Sequence, residues 1–340
     1  MLKKFRPIPC SPGWPNARSL AGGLVGYREI EISGAEGPAE ILPADAVSPL
    51  YSDSRERLTR LYTTREPLMG LDMSRPRIMG VLNATPDSFS DGGRLGDTPG
   101  AVAHGLALVE AGADILDIGG ESTRPNAETV QQTVEIDRVV PVIQGLRAAG
   151  CTAPISVDTR KAAVAKAALA AGASMFNDVS ALTYDAESLS VAKDMSFICL
   201  MHAKGDPRTM QDAPEYTDVV AEVFDFLSER IAVCETAGIL RHRIAIDPGI
   251  GFGKTLEHNL TLLRNLSVFH GLGCPLLLGV SRKGFIGRLS GETVAARRAP
   301  GSIAAGLAGL AQGVQILRVH DVAETVQAVR VWEALQETDL

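Results

Sequence analysis

The 340-residue chain is 45% hydrophobic and 21% charged, with a formal net charge of −7. This balance excludes a wholly disordered chain and gives no electrostatic reason to expect nucleic acid or an anionic membrane as partner. No run reaches the roughly 18 apolar residues needed to span a bilayer, and five scattered cysteines without a C-x-x-C pair suit neither a disulfide framework nor a zinc site, so a reducing cytoplasm is expected.

Residues 1–75 are rich in Pro and Gly; "GLVGYREIEI" suggests a strand pair and "SRERLTRLY" a charged helix. They are expected to form an N-terminal extension, of role unreadable in the sequence, beside a catalytic unit at 76–340. From about residue 76, short β-branched apolar runs alternate with Ala-rich stretches of helical spacing, the pattern of repeated βα units. The strand candidates are 77–82, 113–118, 154–157, 174–177, 196–201, 243–246, 275–280 and 315–319. Eight units in about 265 residues fit an α/β fold of the closed (β/α)8 TIM barrel type better than an open doubly wound sheet. Between the strands, Val220, Phe224, Leu227, Ile231 and Cys234 make one apolar stripe that predicts a helix over about 217–237, stopped by Gly238. Asp321 and Glu324 predict a capping box on the last helix.

Most strand candidates end in polar groups: Asn83, Glu121 to Arg124, Asp158, Asn177 with Asp178, His202, Asp247, Ser281 to Lys283, and Arg318 with His320. In a closed barrel these ends converge on the carboxyl-terminal face, where barrel enzymes build their sites. Each has a plainer reading. Asp247 precedes Pro-Gly and forms turns readily; Asp158 with Thr159 could cap the next helix; Asn177-Asp178 could bind its own backbone; His202 and His320 could be satisfied core histidines, and His104 a surface or packing residue. "GIGFGKT" is not a phosphate loop, because Pro248 stands where its first glycine is required. Taken together, carboxylates and an amide can grip the amino and ring N–H edge of a flat heterocycle such as a pterin. Arg282, Lys283, Arg318 and His320 suit a carbonyl, a phosphate ester or an aromatic acid, and Asn83 could give Mg2+ a neutral oxygen.

The blocks "IMGVLNATPDSFSDGG", "DIGGESTRP", "ISVDT", "FNDVSA", "AIDPGIGFGKT", "GVSRKGFIG" and "ILRVHDV" occur in this order over residues 76–340 and closely resemble the dihydropteroate synthase family. The resemblance implies a (β/α)8 barrel that joins 6-hydroxymethyl-7,8-dihydropterin diphosphate to 4-aminobenzoate, releasing diphosphate and forming 7,8-dihydropteroate for folate synthesis, with sulfonamides imitating the second substrate. By matching position, Asp158, Asn177 and Asp247 would hold the pterin edge, with Lys283 on its polar ring atoms and Met201 against a face. Arg318 and His320 would bind diphosphate, Asn83 would join it through Mg2+, and Arg318 would also stack along the pterin. Thr123, Pro125, Ser281 and Phe252 would form the aminobenzoate pocket, with Arg124 and Arg282 assisting anionic groups. A loop carrying Phe89 and Asp91 would close over it. Lys283, Arg318, His320 and Asp158 are the expected catalytic set, and a homodimer is expected. A methyltetrahydrofolate-dependent methyltransferase barrel could share the carboxylate and amide positions but has no use for a diphosphate site. A catalytically silent barrel that only binds a pterin or a partner protein would not be expected to keep Asn83, Lys283, Arg318 and His320 together.

Overall fold

The computed structural model describes residues 3–34, 38–51, 54–84, 98–122, 129–205, 210 and 213–336. Its first part is an antiparallel sheet of Lys4–Cys10 (β1), Arg18–Ser19 (β2), Gly26–Ser33 (β3) and Glu40–Pro43 (β4), followed by helices Ala44–Leu50 (α1) and Arg55–Tyr62 (α2). β3 is central, with β1 along one side and both β2 and β4 along the other. Pro7 and Pro9 are tolerated in β1 because it is an edge strand, whose outer side needs no amide donor. The inward residues Phe5, Leu20, Tyr27, Ile30 and Ile32 bury themselves against Val47, Leu58 and Leu61. The charged stretch at α2 is therefore amphipathic, with Leu58 and Leu61 as its apolar side.

Eight strands follow: Arg77–Asn83 (β5), Ile115–Gly119 (β6), Ile155–Asp158 (β7), Met175–Asp178 (β8), Phe197–Met201 (β9), Ile244–Asp247 (β10), Leu277–Gly279 (β11) and Ile316–Val319 (β12). They form one parallel sheet in the order β10-β9-β8-β7-β6-β5-β12-β11. A single bridge between Ile246 and Leu276, with the Ile246 amide donating to the Pro275 carbonyl at 2.9 Å, closes it into a barrel. Every expected strand is present with its ends moved by a residue or two.

Alternation along the strands sorts the side chains. Ile78, Leu116, Val157, Phe176, Leu200, Ile246, Leu278 and Leu317 face outward into the main core under the helices. Met79, Ile115, Met175, Cys199, Ala245, Leu277 and Ile316 face inward as a lower layer, filled from below by Leu68 and Met73. The helices are Thr98–Glu110 (α3), Gln132–Ala148 (α4), Ala162–Ala171 (α5), Ser188–Asp194 (α6), Val219–Thr236 (α7), Leu256–Arg264 (α8), Gly284–Ser290 (α9), Ala299–Leu310 (α10) and Val322–Gln336 (α11). α7 buries Phe224, Leu227, Ile231 and Cys234 on one stripe, and Asp218 caps it by accepting from the Ala221 amide at 3.0 Å. Each large apolar side chain so buried contributes about 1.5–3 kcal/mol.

The N-terminal sheet is tied to this barrel. Ser267 Oγ donates to the Pro7 carbonyl at 2.7 Å, and Arg65 Nη2 to the His270 carbonyl at 2.9 Å. Lys4 pairs with the capping Asp218 at 3.1 Å, and Trp332 of α11 packs against both hydrophobic clusters. Among the described residues no helix is long and apolar enough to cross a membrane.

Candidate active site

One inward-facing position above the lower layer, the barrel interior turns polar. Asp117 of β6, Asn177 of β8, Asp247 of β10 and Arg318 of β12 each stand two residues beyond an apolar lower-layer residue, and Asp158 ends β7. Arg318 binds two carboxylates at once: Nε donates to Asp117 Oδ2 at 2.6 Å and Nη2 to Asp158 Oδ2 at 2.7 Å. The Asn177 amide donates to Asp117 at 3.2 Å. Burial works against the Arg318 charge, yet Asp117 and Asp158 more than offset it and hold its pKa above the ordinary value. Burial pushes the Asp158 carboxyl up to about 7 against the pull of Arg318. Its Oδ1 is buried with no hydrogen-bond partner. An acceptor left in this state costs on the order of 1–3 kcal/mol until a donor reaches it.

Across the barrel, Asp247 Oδ1 accepts from the Gly249 amide at 2.7 Å, so the Asp-Pro-Gly turn and the site use the same carboxylate. Burial raises the Asp247 pKa, opposed chiefly by Lys283. The Lys283 ammonium bonds the Ile250 carbonyl and lies 4.8 Å from the centre of the Phe252 ring. Burial lowers it to about 8, with Asp247 resisting. Gly279 keeps the space between them open: a Cβ there would lie 3.7 Å from Asp247 Oδ2 and 3.8 Å from Lys283 Nζ.

The rim is set by the turn after β11. Arg282 has φ of 58°, a left-handed conformation costly for a side chain of this size. Its amide donates to Ser302 Oγ at 2.8 Å and its carbonyl accepts from Arg298 at 3.1 Å, which fixes it. The Arg282 guanidinium pairs with Asp321, so that carboxylate holds the rim, where the sequence suggested a capping box. Ser281 Oγ accepts from the His320 amide at 3.1 Å and lies 3.0 Å from His320 Nδ1. Asn83 ends β5 beside Gly119, and Met201 ends β9 in a buried position.

The structure thus brings Asp158, Asn177, Asp247, Lys283 and Arg318 together, with Asn83, Met201, Phe252, Ser281, Arg282 and His320 on the strand ends and turns around them. Thr123, Arg124, Pro125, Phe89 and Asp91 lie outside the described residues. Asp178 faces away and accepts from the Ser180 and Leu182 amides, which makes it the backbone-binding member of its pair. Glu121 joins Arg160, Lys161 and Glu135 in a buried ion cluster, with Arg160 Nε at 3.1 Å and Lys161 Nζ at 2.6 Å from its carboxylate. His202 is a buried histidine 2.9 Å from Lys254, and His104 is exposed on α3.

The sequence profile described as pterin binding enzyme matches residues 79–320. Dihydropteroate synthase of Neisseria meningitidis serogroup C is 51% identical over 271 residues, covering 78% of this chain and 94% of that protein. The chain belongs to the dihydropteroate synthase family. The Escherichia coli (strain K12) member is 47% identical over 264 residues, covering 78% of this chain and 93% of its own length. A solved structure of the Xanthomonas albilineans dihydropteroate synthase with 4-aminobenzoic acid has a TM-score of 0.75 and 50% identity, over 81% of this chain and 98% of that one. Its complex with 7,8-dihydropteroate has a TM-score of 0.72 and 48% identity, over 79% and 96%.

Two residues of this dihydropteroate synthase fold escaped the strand-end reading. Asp117 sits inside the apolar run "ADILDI"; the signal was an acid at the inward phase, two residues after Ile115. Lys254 belongs to the motif rejected as a phosphate loop, and its Nζ is buried among backbone carbonyls.

Proposed function

We propose that the chain condenses 6-hydroxymethyl-7,8-dihydropterin diphosphate with 4-aminobenzoate to 7,8-dihydropteroate and diphosphate. The observation that carries this reading is the unpaired, buried Asp158 Oδ1 beside Asn177, facing Asp247 and Lys283 across the barrel. Such a set accepts the N–H edge of a pterin on its carboxylates and donates to its ring oxygen or nitrogen from the lysine. Family members with 48–51% identity, among them solved structures holding 4-aminobenzoic acid or 7,8-dihydropteroate, support both substrates.

The reaction breaks the bond between the pterin methylene carbon and the diphosphate oxygen, with the electron pair leaving on diphosphate. Arg318 and His320 would stabilise that charge as it develops. The aryl amine nitrogen then forms the new C–N bond and gives up a proton, so no side-chain nucleophile is needed. Phe252, Ser281, Thr123 and Pro125 would hold the aminobenzoate, with Arg124 and Arg282 near its anionic end. Phe89 and Asp91 would close over it and exclude water from the cationic intermediate.

Among the described residues no group of three His, Cys, Asp or Glu could hold a metal ion. A single neutral oxygen from Asn83 suits a Mg2+ held mainly by diphosphate and water. When bound there, Mg2+ supplies neutralisation of the leaving group's charge. A homodimer is in keeping with the exposed Leu289 and Val294 near α9, and a cytoplasmic location with five unpaired cysteines.

Incubation with the pterin diphosphate, 4-aminobenzoate and Mg2+ is expected to yield dihydropteroate, with a sulfonamide competing against aminobenzoate. Corrinoid-dependent methyl transfer without dihydropteroate would overturn the reading.

A further inference from the structure

The turn between β10 and α8 is built in a costly way. Gly249, Gly251 and Gly253 have φ of 69°, 86° and 61°. A Cβ at Gly249 would lie 1.8 Å from the His202 carbonyl, and one at Gly253 2.1 Å from the Lys204 carbonyl, so the turn presses directly on the backbone leaving β9. A Cβ at Gly251 would meet the Lys283 side chain at 3.3 Å on the other side. The turn is therefore wedged between a neighbouring loop and a site lysine.

At its centre is Lys254, 2% exposed. Its Nζ donates to the carbonyls of Gly249 at 2.9 Å, Phe252 at 3.0 Å and His202 at 3.3 Å, and lies 2.9 Å from His202 Nδ1. Acceptors surround Nζ from both sides of the wedge. Among the described residues no carboxylate bonds this lysine directly, and burial holds its pKa well below the ordinary lysine value against the distant pull of Asp247. Isolated buried charges cost several kcal/mol and are rare without a carboxylate partner. A hydrophobic turn could fill the same volume, but it could not draw three carbonyls to one point.

Other bonds finish the shape. Asn259 Oδ1 accepts from the Gly251 amide at 2.7 Å, and Tyr216 Oη donates to the Gly253 carbonyl at 2.9 Å. With the Gly249 and Phe252 carbonyls turned inward onto Lys254, the Ile250 carbonyl points outward to Lys283, and the Phe252 ring lies beside the same ammonium. The two groups that seat Lys283 are both presented by the backbone that Lys254 gathers.

We propose that Lys254 is a positioning residue for the reaction: it fixes the 249–253 turn so that Phe252 and Lys283 stand in register for the two substrates, without touching either. This rests on the substrate assignment above, and it adds a residue and a division of labour. The diphosphate end, at Arg318 and His320, is held by other strands and does not depend on the turn.

Lys254→Met tests it, read by three constants. The KM for 4-aminobenzoate is expected to rise about tenfold or more, equivalent to about 1.4 kcal/mol. Pterin affinity by calorimetry should fall several-fold, and affinity for inorganic diphosphate with Mg2+ should be unchanged. Lys254→Gln, which keeps two donors for the carbonyls, should show the same pattern more weakly, and it decides the matter if the Met variant does not fold. Unchanged substrate constants in a folded variant, or a parallel fall of all three, would overturn the proposal. Wild-type protein that makes no dihydropteroate would defeat the functional reading instead, which keeps the two failures distinct.

Discussion

From Ile115 to Asp117, from Met175 to Asn177 and from Ala245 to Asp247, the barrel interior passes from a dry apolar layer to a polar one in a single inward-facing step. The lower layer is closed by Leu68 and Met73 and has only dispersion and desolvation to offer. The upper layer sets three carboxylates, Asp117, Asp158 and Asp247, against Arg318 and Lys283. Continuing the apolar layer upward would have been cheaper, since buried ion pairs seldom repay their desolvation. The contrast teaches that one strand pattern can serve stability at one end and recognition at the other, provided the switch occurs at the same level on neighbouring strands.

The largest effect expected is from Arg318→Met, which leaves Asp117 and Asp158 buried without their cation. Stability should fall by about 3–5 kcal/mol and turnover by about 10²–10³-fold, measured by urea denaturation and dihydropteroate formation. Full stability with lost turnover would mean that the upper layer is less tightly coupled to the fold than its geometry indicates. In the lower layer, Ile115→Ala should cost about 2–5 kcal/mol with both substrate KM values unchanged. A shifted KM in that variant would break the division between layers. Asp247→Asn keeps the shape and removes the charge; pterin affinity should fall by about 10–100-fold, as for loss of a charged hydrogen bond of about 1.5–3 kcal/mol, with calorimetry as the check.

A smaller effect follows from pH. Lys283 is held at about 8, below the 10.5 it would have in the unfolded chain. Between these values the unfolded state binds more protons, so this group's contribution to stability rises as pH climbs from about 8 to 10.5. Pterin binding through the ammonium should weaken over the same rise. Opposed slopes in thermal denaturation and calorimetry, both reduced in Lys283→Met, are the expected result; parallel slopes would assign the titration elsewhere.

Much of this barrel was legible because strands buried on both faces read as short apolar runs between helical stretches. The strand-end rule located Asp158, Asn177, Asp247, Lys283 and Arg318, since a charged or amide group at the end of a run buried on both faces costs desolvation that some specific partner or use must offset. It failed for Asp117, whose flanking Ile and Leu residues made it look like an interruption in a strand. It could not separate Asn177 from Asp178, because adjacent residues face opposite sides and only the strand's phase tells which one is inside. The N-terminal sheet was half-read: β3 is alternating and clear, while β1 carries two prolines that argue against a strand unless its edge position is known. Glu121 and Lys254 show the remaining difficulty. Their partners are distant in sequence or are backbone carbonyls, and neither kind of partner leaves a pattern of residue types.

The joint between β10 and β11 has one bridge, where every other pair of adjacent barrel strands shares a ladder. A cylinder held this way has a preferred line along which to split, and transient opening costs least where the fewest bonds must break. That line runs between Asp247 and Lys283. Breathing of the wall would part this carboxylate from this ammonium, so a ligand that draws the two together also bolts the barrel shut.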